Sequence, residues 1–175
     1  MTCQAAGDLP RAIATYERIA ADLERVFGHD HTYALDSRGN LADAYQAAGD
    51  LPRAITLHEA NLADRERVLG SDDLGTLISR NNLAGAYRAA GDLPRAITLY
   101  ERTAADMERV LGSEDRSTLT TRNNLAVAYQ AAGDLPRATA LFEAALAEAA
   151  RVFGDGHDLT TLLRDNLADA TDDAS

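Results

Sequence analysis

The sequence predicts an all-α fold: a solenoid of about eight helices packed as antiparallel pairs. Three observations predict it. The phrase Ala-Ala-Gly-Asp-Leu-Pro-Arg-Ala begins at Ala5, Ala47, Ala89 and Ala131, and Asn-Leu-Ala begins at Asn40, Asn82, Asn124 and Asn166, always 42 residues apart. A fixed period in this range marks a repeat array in which each unit packs on its neighbours, so no single central core is expected. Between the phrases, apolar residues recur at steps of three, four and seven, the signature of amphipathic helices. Ala and Leu dominate while aromatics make up 5% and Trp is absent, which suits helices in close contact through small residues.

The elements follow in order. The chain opens partway through a repeat, with Met1 to Ala6 as the stub of a first helix and a second helix near 9–27. Gly28 ends that helix. The next first helix, near 32–47, carries Leu35, Leu41, Ala42, Ala44 and Tyr45 on one side. Gly49 stops it and Asp50 caps the next helix, the usual chemistry of a helix end and a helix start. Pro52 falls in the first turn, where its missing N–H costs nothing. All four prolines, Pro10, Pro52, Pro94 and Pro136, occupy this position. Second helices are expected near 51–69, 93–111 and 135–153, and further first helices near 74–89, 116–131 and 158–170. The domain reading is one array over 1–175: a partial repeat 1–28, repeats 29–70, 71–112 and 113–154, and a C-terminal capping helix 155–175.

Charge and composition exclude several functions. The net charge of −11 argues against nucleic acid, whose binding rests on basic residues neutralising phosphates, and against an anionic membrane surface. All 17 basic residues are Arg, which fits a bacterial source. Cys3 is the single cysteine, so no internal disulfide forms, consistent with a cytoplasmic setting. No apolar run is long enough for a bilayer and no signal peptide is evident.

The pattern Asn-Leu-Ala-x-Ala-Tyr-x-x-x-Gly-x-x-x-x-Ala resembles the tetratricopeptide repeat (TPR). Leu83, Ala84, Tyr87, Gly91, Ala96 and Tyr100 stand where that family has its Leu, small residue, Tyr, Gly, Ala and aromatic. The ordinary TPR has 34 residues. The longer period here, with Arg-x-Asn-Leu-Ala and the loop Gly28-His29-Asp30-His31, resembles the repeats of kinesin light chains and related bacterial scaffolds. The resemblance implies a right-handed superhelix whose first helices line a concave groove, and a scaffold that binds a peptide or helix of a partner protein. The family's loop Pro is missing from every copy, and Thr171 stands where the Tyr column would continue. The late second-helix column of small residues reads Ile19, Asn61, Thr103 and Ala145. Asn61 is out of place there.

On the groove face the resemblance places Asn40, Asp43 and Gln46 in the first complete repeat, Asn82 and Arg88 in the next, and Asn124 and Gln130 in the third, flanked by Asn81 and Asn123. Asn suits a partner's backbone because one amide offers both donors and an acceptor. The competing reading is an Asn ladder that bonds neighbouring helices identically at every repeat. Arg38, Arg80, Arg122 and Arg164 lie two residues before Asn, about 200° around the helix. They therefore share the packing face and are read as structural, with the Glu17, Glu59, Glu101 and Glu143 column as partners. Lys and Arg are nearly absent from the groove face, so capture of a free C-terminal carboxylate is not expected.

No catalytic constellation, metal site or cofactor motif emerges, and the chain is read as a non-enzyme. His29, His31 and His157 read as loop or cap residues, and His58 as a packing substitute in the column of Tyr16, Tyr100 and Phe142. The array ends are complementary in kind. One lacks a first helix, and the other has a first helix without its second. This motivates the alternative reading, a homo-oligomer joined through its ends.

Overall fold

A computed structural model describes the backbone of residues 3–172 and the side chains of 9–172. Expectations placed on Met1, on the Cys3 side chain and on the last three residues of the acidic tail lie outside these. Eight helices run in chain order among the described residues: α1 (Cys3–Phe27), α2 (Thr32–Ala47), α3 (Leu51–Leu69), α4 (Leu74–Ala89), α5 (Leu93–Leu111), α6 (Arg116–Ala131), α7 (Leu135–Phe153) and α8 (Asp158–Asp172). They fall into two compact units, Met1–Ala90 and Gly91–Ser175. In the first, α1 packs on α2, α2 on α3 and α3 on α4, and α2 also touches α4. In the second, α5 packs on α6, α6 on α7 and α7 on α8, and α6 also touches α8.

The turn between α2 and α3 shows why the repeated phrase punctuates the chain. Gly49 has φ of 81°, a left-handed conformation that glycine adopts without steric cost. Its N–H bonds the Gln46 carbonyl at 3.0 Å and the Asp50 N–H bonds the Tyr45 carbonyl at 2.9 Å, the paired closure of a Schellman end. The Asp50 carboxylate then accepts from the Arg53 N–H at 3.3 Å, with Pro52 in the first turn. One residue closes one helix and caps the next. The same pair of closing bonds recurs at Gly133 and Asp134. His31 and His157 cap α2 and the start of α8, their Nδ1 atoms accepting from Tyr33 and Leu159 N–H groups at 3.2 Å.

The first copy of the phrase behaves differently. The expected stub and turn at Gly7-Asp8 do not form, and α1 runs unbroken from Cys3 with Pro10 inside it. Continuing the helix keeps the backbone groups of this segment paired.

The apolar columns form the interior. Leu35, Leu77 and Leu119 are fully buried, as are Ala42, Ala84 and Ala126, and Ala54, Ala96 and Ala138. Alanine at these crossings lets helix backbones approach closely, and each fully buried aliphatic side chain contributes about 1.5–3 kcal/mol. On α1 the corresponding apolar set is uncovered: Tyr16 and Ile19 are exposed and Leu23 is half-exposed.

Candidate functional site

Two polar columns tie consecutive helices together. Tyr45 on α2 donates its hydroxyl to Glu17 of α1 at 2.5 Å, Tyr87 on α4 donates to Glu59 of α3, and Tyr129 on α6 donates to Glu101 of α5 at 2.5 Å. The Glu column expected to serve the arginines therefore serves the tyrosines. The bond to Glu17, with burial adding to it, pushes the Tyr45 hydroxyl above its ordinary pKa. Burial and then Glu101 do the same for Tyr129. The arginines reach other acids. Buried Arg38 bridges Asp64 of α3 at 2.9 Å and Glu24 of α1 at 3.6 Å. Arg80, fully buried, meets Glu66 at 2.9 Å. Arg122 spans Glu108 of α5 at 2.9 Å and Glu148 of α7 at 2.6 Å. Arg164 is exposed and, among the described residues, pairs with an exposed Asp155 at 3.1 Å. The partners are themselves periodic: Glu24, Glu66 and Glu108 lie one repeat apart, as do Asp64 and Asp106. That spacing is the signal that could have identified them.

The groove residues divide by environment. In the first unit Asn40 and Asp43 on α2 are exposed, Gln46 is half-buried, Asn81 and Asn82 on α4 are half-buried, and Arg88 is exposed. The side chains of Asn40 and Asn82 make no hydrogen bond among the described residues. In the second unit Asn124 and Gln130 are half-buried. Asn123 is buried at 5% exposure, and its Oδ1 accepts from the Asn166 amide at 2.7 Å. Asn123 is thus engaged inside its unit rather than presented on the face. In the first unit the residue in the Asn123 column on α2 is Gly39, so no equivalent bond joins α2 to α4. A uniform Asn ladder is absent from that unit.

The α2–α3 pair differs from the others in a way the sequence reading saw only in part. Along α3, His58, Asn61 and Arg65 form one buried stripe. Along α2, Asp36, Gly39 and Asp43 face it in antiparallel order. Arg65 bonds Asp36, Asn61 Nδ2 lies 3.4 Å from where a Cβ on Gly39 would stand, and His58 Nε2 lies 3.3 Å from Asp43 Oδ1. The same columns hold Tyr100, Thr103 and Met107 on α5, and Phe142, Ala145 and Ala149 on α7. Both amide atoms of Asn61 are buried without a hydrogen-bond partner among the described residues. An unmet buried polar group costs about 1–3 kcal/mol, and such exceptions concentrate at functional sites.

A second cluster lies at the loop before α2. His29, Asp30 and Asp64 bring three potential ligand atoms within 4.8 Å of one another. Arg67 bonds Asp30 at 2.5 Å and Asp64 at 3.1 Å, and Arg38 bonds Asp64. The Arg67 bond holds Asp30 below the usual carboxylate range. Burial works to raise Asp64, but its bonds to Arg67 and Arg38 keep it low. Two guanidinium groups thus supply the charge a cation would bring, and the cluster acts as an ionic clasp over α1, α2 and α3.

The tetratricopeptide repeat family model matches residues 1–60, 39–109, 81–147 and 117–174. Among solved structures, the chain is similar to a kinesin light chain-like protein with nearly identical TPR-like repeats from P. anserina. The identity is 32% and the TM-score 0.81, covering 97% of this chain and 80% of that one. A single-residue variant of that protein gives 31% identity and a TM-score of 0.82 with the same coverage. The structure of BtubC (BKLC) from P. vanneervenii is similar at 23% identity and a TM-score of 0.81, covering 95% of this chain and 66% of that one. No curated protein matches the chain.

Proposed function

Because the chain belongs to the tetratricopeptide repeat family, a fold that generally serves as a protein–protein interaction scaffold, we propose that it binds a peptide or helix of a partner protein on its first helices. Asn40 and Asn82 in the first unit, and Asn124 in the second, are the central contacts. The observation that carries this reading is a contrast between columns. The buried columns repeat almost unchanged, with Leu41, Leu83 and Leu125, then Ala42, Ala84 and Ala126, then Tyr45, Tyr87 and Tyr129. Two groove-face columns change at every step, Asp36, Ile78, Thr120 and Leu162 in one and Asp43, Gly85, Val127 and Asp169 in the other, and they flank the constant column of Asn40, Asn82, Asn124 and Asn166. Packing dictates the first set and leaves the second free to suit a ligand. The wider parts of the reading have separate grounds: avoidance of nucleic acid and of anionic membrane rests on the acidic charge, a bacterial source on the all-Arg basic set, a cytoplasmic setting on the single cysteine, and a non-catalytic role on the sequence offering no catalytic motif. No helix among the described residues is long and apolar enough to cross a membrane.

The test is a peptide array of varied chemistry followed by affinity measurement on the best binders. Asn82→Ala with Asn124→Ala weakens the best peptides about tenfold or more, the expected loss when paired polar groups at an interface are removed. Unchanged affinity in the double variant rejects the Asn contacts, and an array with no binder rejects the function.

A second reading, self-association, draws on the uncovered Tyr16 and Ile19 of α1. Light scattering across concentration separates the two: a monomer throughout rejects self-association and leaves the groove reading untouched.

A further inference from the structure

Resting on the groove reading, we infer that the α2–α3 hairpin is a recognition site for an extended basic peptide carrying two cationic side chains three residues apart. Asp36 and Asp43 stand exposed on α2, their side chains 60% and 50% accessible. Seven residues separate them, about 10 Å along a helix. An extended polyproline II segment has three residues per turn and rises about 3.1 Å per residue, so its side chains at i and i+3 lie on one side about 9 Å apart. The two spacings match. Asp36 is supported from behind by its bond to buried Arg65, and buried His58, whose Nε2 makes no hydrogen bond among the described residues, lies 3.3 Å behind Asp43. Support of this kind fixes a recognition group before the ligand arrives. A carboxylate has more acceptor positions than one backing contact consumes.

Charge alone does not define the site. Between the two acids sits Gly39, where α4 has Asn81 and α6 has Asn123. With no side chain there, a peptide backbone can approach α2 closely. Beneath Gly39 lies the Asn61 amide, 1% exposed and covered from solvent, with neither its donor nor its acceptor matched among the described residues. An Asn kept at this cost, in a column that elsewhere holds Thr103 and Ala145, fits a group that completes its hydrogen bonds with the ligand backbone.

The probe is a fluorescein-labelled peptide repeating Arg-Ala-Ala, read by anisotropy at physiological salt. Its controls are a peptide of the same composition with the arginines contiguous and a citrulline counterpart. The spaced peptide binds about tenfold or more tightly than the contiguous one, and the citrulline peptide does not bind. Asp43→Asn weakens the spaced peptide about tenfold. Gly39→Asn with Asn61→Ala reproduces the Asn123–Ala145 arrangement of the third repeat, so it keeps the fold while closing the opening, and it removes the spacing preference. Asp165→Asn on α8, which makes the same charge change elsewhere, leaves affinity unchanged. Equal binding of spaced and contiguous peptides, or equal loss in Asp165→Asn and Asp43→Asn, overturns the site and shows only attraction to an acidic protein. If array peptides bind through Asn82 and Asn124 while the Arg-Ala-Ala probe does not, this inference fails and the groove reading stands.

Discussion

Asn61→Thr is expected to make the protein more stable. Asn61 is fully buried, and both its amide atoms lack partners among the described residues. At about 1–3 kcal/mol for each unmet group, the native state carries a penalty of roughly 2–6 kcal/mol at this residue. The second repeat shows the remedy. Thr103, in the same column, donates its hydroxyl to the Leu99 carbonyl four residues back at 2.7 Å, and Leu57 is the matching residue for position 61. Threonine is close to asparagine in size and helix propensity, so neither a cavity nor a local cost cancels the gain. Allowing for relaxation around the amide, the net stabilisation is about 2 kcal/mol, a rise in urea midpoint on the order of 1 M at unchanged slope. Urea unfolding followed by far-UV circular dichroism measures it. A midpoint equal to or below that of the parent, at the same slope, would show that the amide is satisfied in solution and remove its claim on a ligand.

The other expectations concern the ties between helices. Tyr129→Phe loses a part-buried bond to a charged acceptor and costs about 1.5 kcal/mol, read as a lowered urea midpoint. Glu101→Gln in that background adds little further cost if the bond is the reason. Arg122→Ala removes the ion pairs from α6 to α5 and α7 and costs about 2–4 kcal/mol, while Arg164→Ala, at an exposed pair, costs less than about 1 kcal/mol. The raised Tyr45 and Tyr129 hydroxyls stabilise the fold while protonated. Their contribution is complete below the ordinary tyrosine pKa of about 10 and is lost as pH rises through the folded values. The lowered Asp30, Asp64, Asp92 and Asp134 work in the opposite direction. Their contribution is present above the ordinary Asp pKa of about 3.9 and disappears on further acidification. Thermal melts across pH follow both edges.

Most of the fold is legible because each helix boundary is written in local chemistry. The Gly-Asp-Leu-Pro phrase supplies a left-handed end, a cap and a first-turn proline within four residues, and three of its copies form the expected turn. The copy at Ala5–Ala12 does not, and α1 runs through it with its backbone groups paired. The tertiary partners of the polar columns were harder to read. The tyrosine hydroxyls and the arginines both lie within reach of periodic acids, and periodicity does not say which acid lies nearer in space. Asn123 and Asn124 are adjacent in sequence, yet one is drawn into the unit and the other stays half-buried, a division set by the rotation of α6 against α8. The His58-Asn61-Arg65 stripe was visible residue by residue, as an odd Asn and a His among aromatics. It became one feature only when α2 placed Asp36, Gly39 and Asp43 opposite it.

The most direct test of the account is an amide-resolved NMR titration of the protein with the spaced Arg-Ala-Ala peptide. The backbone signals of Asp36 to Gln46 and the side-chain amide of Asn61 are expected to shift together and saturate at one peptide concentration, while those of α8 stay in place. Shifts spread evenly over the acidic surface, with the Asn61 amide unmoved, would contradict it.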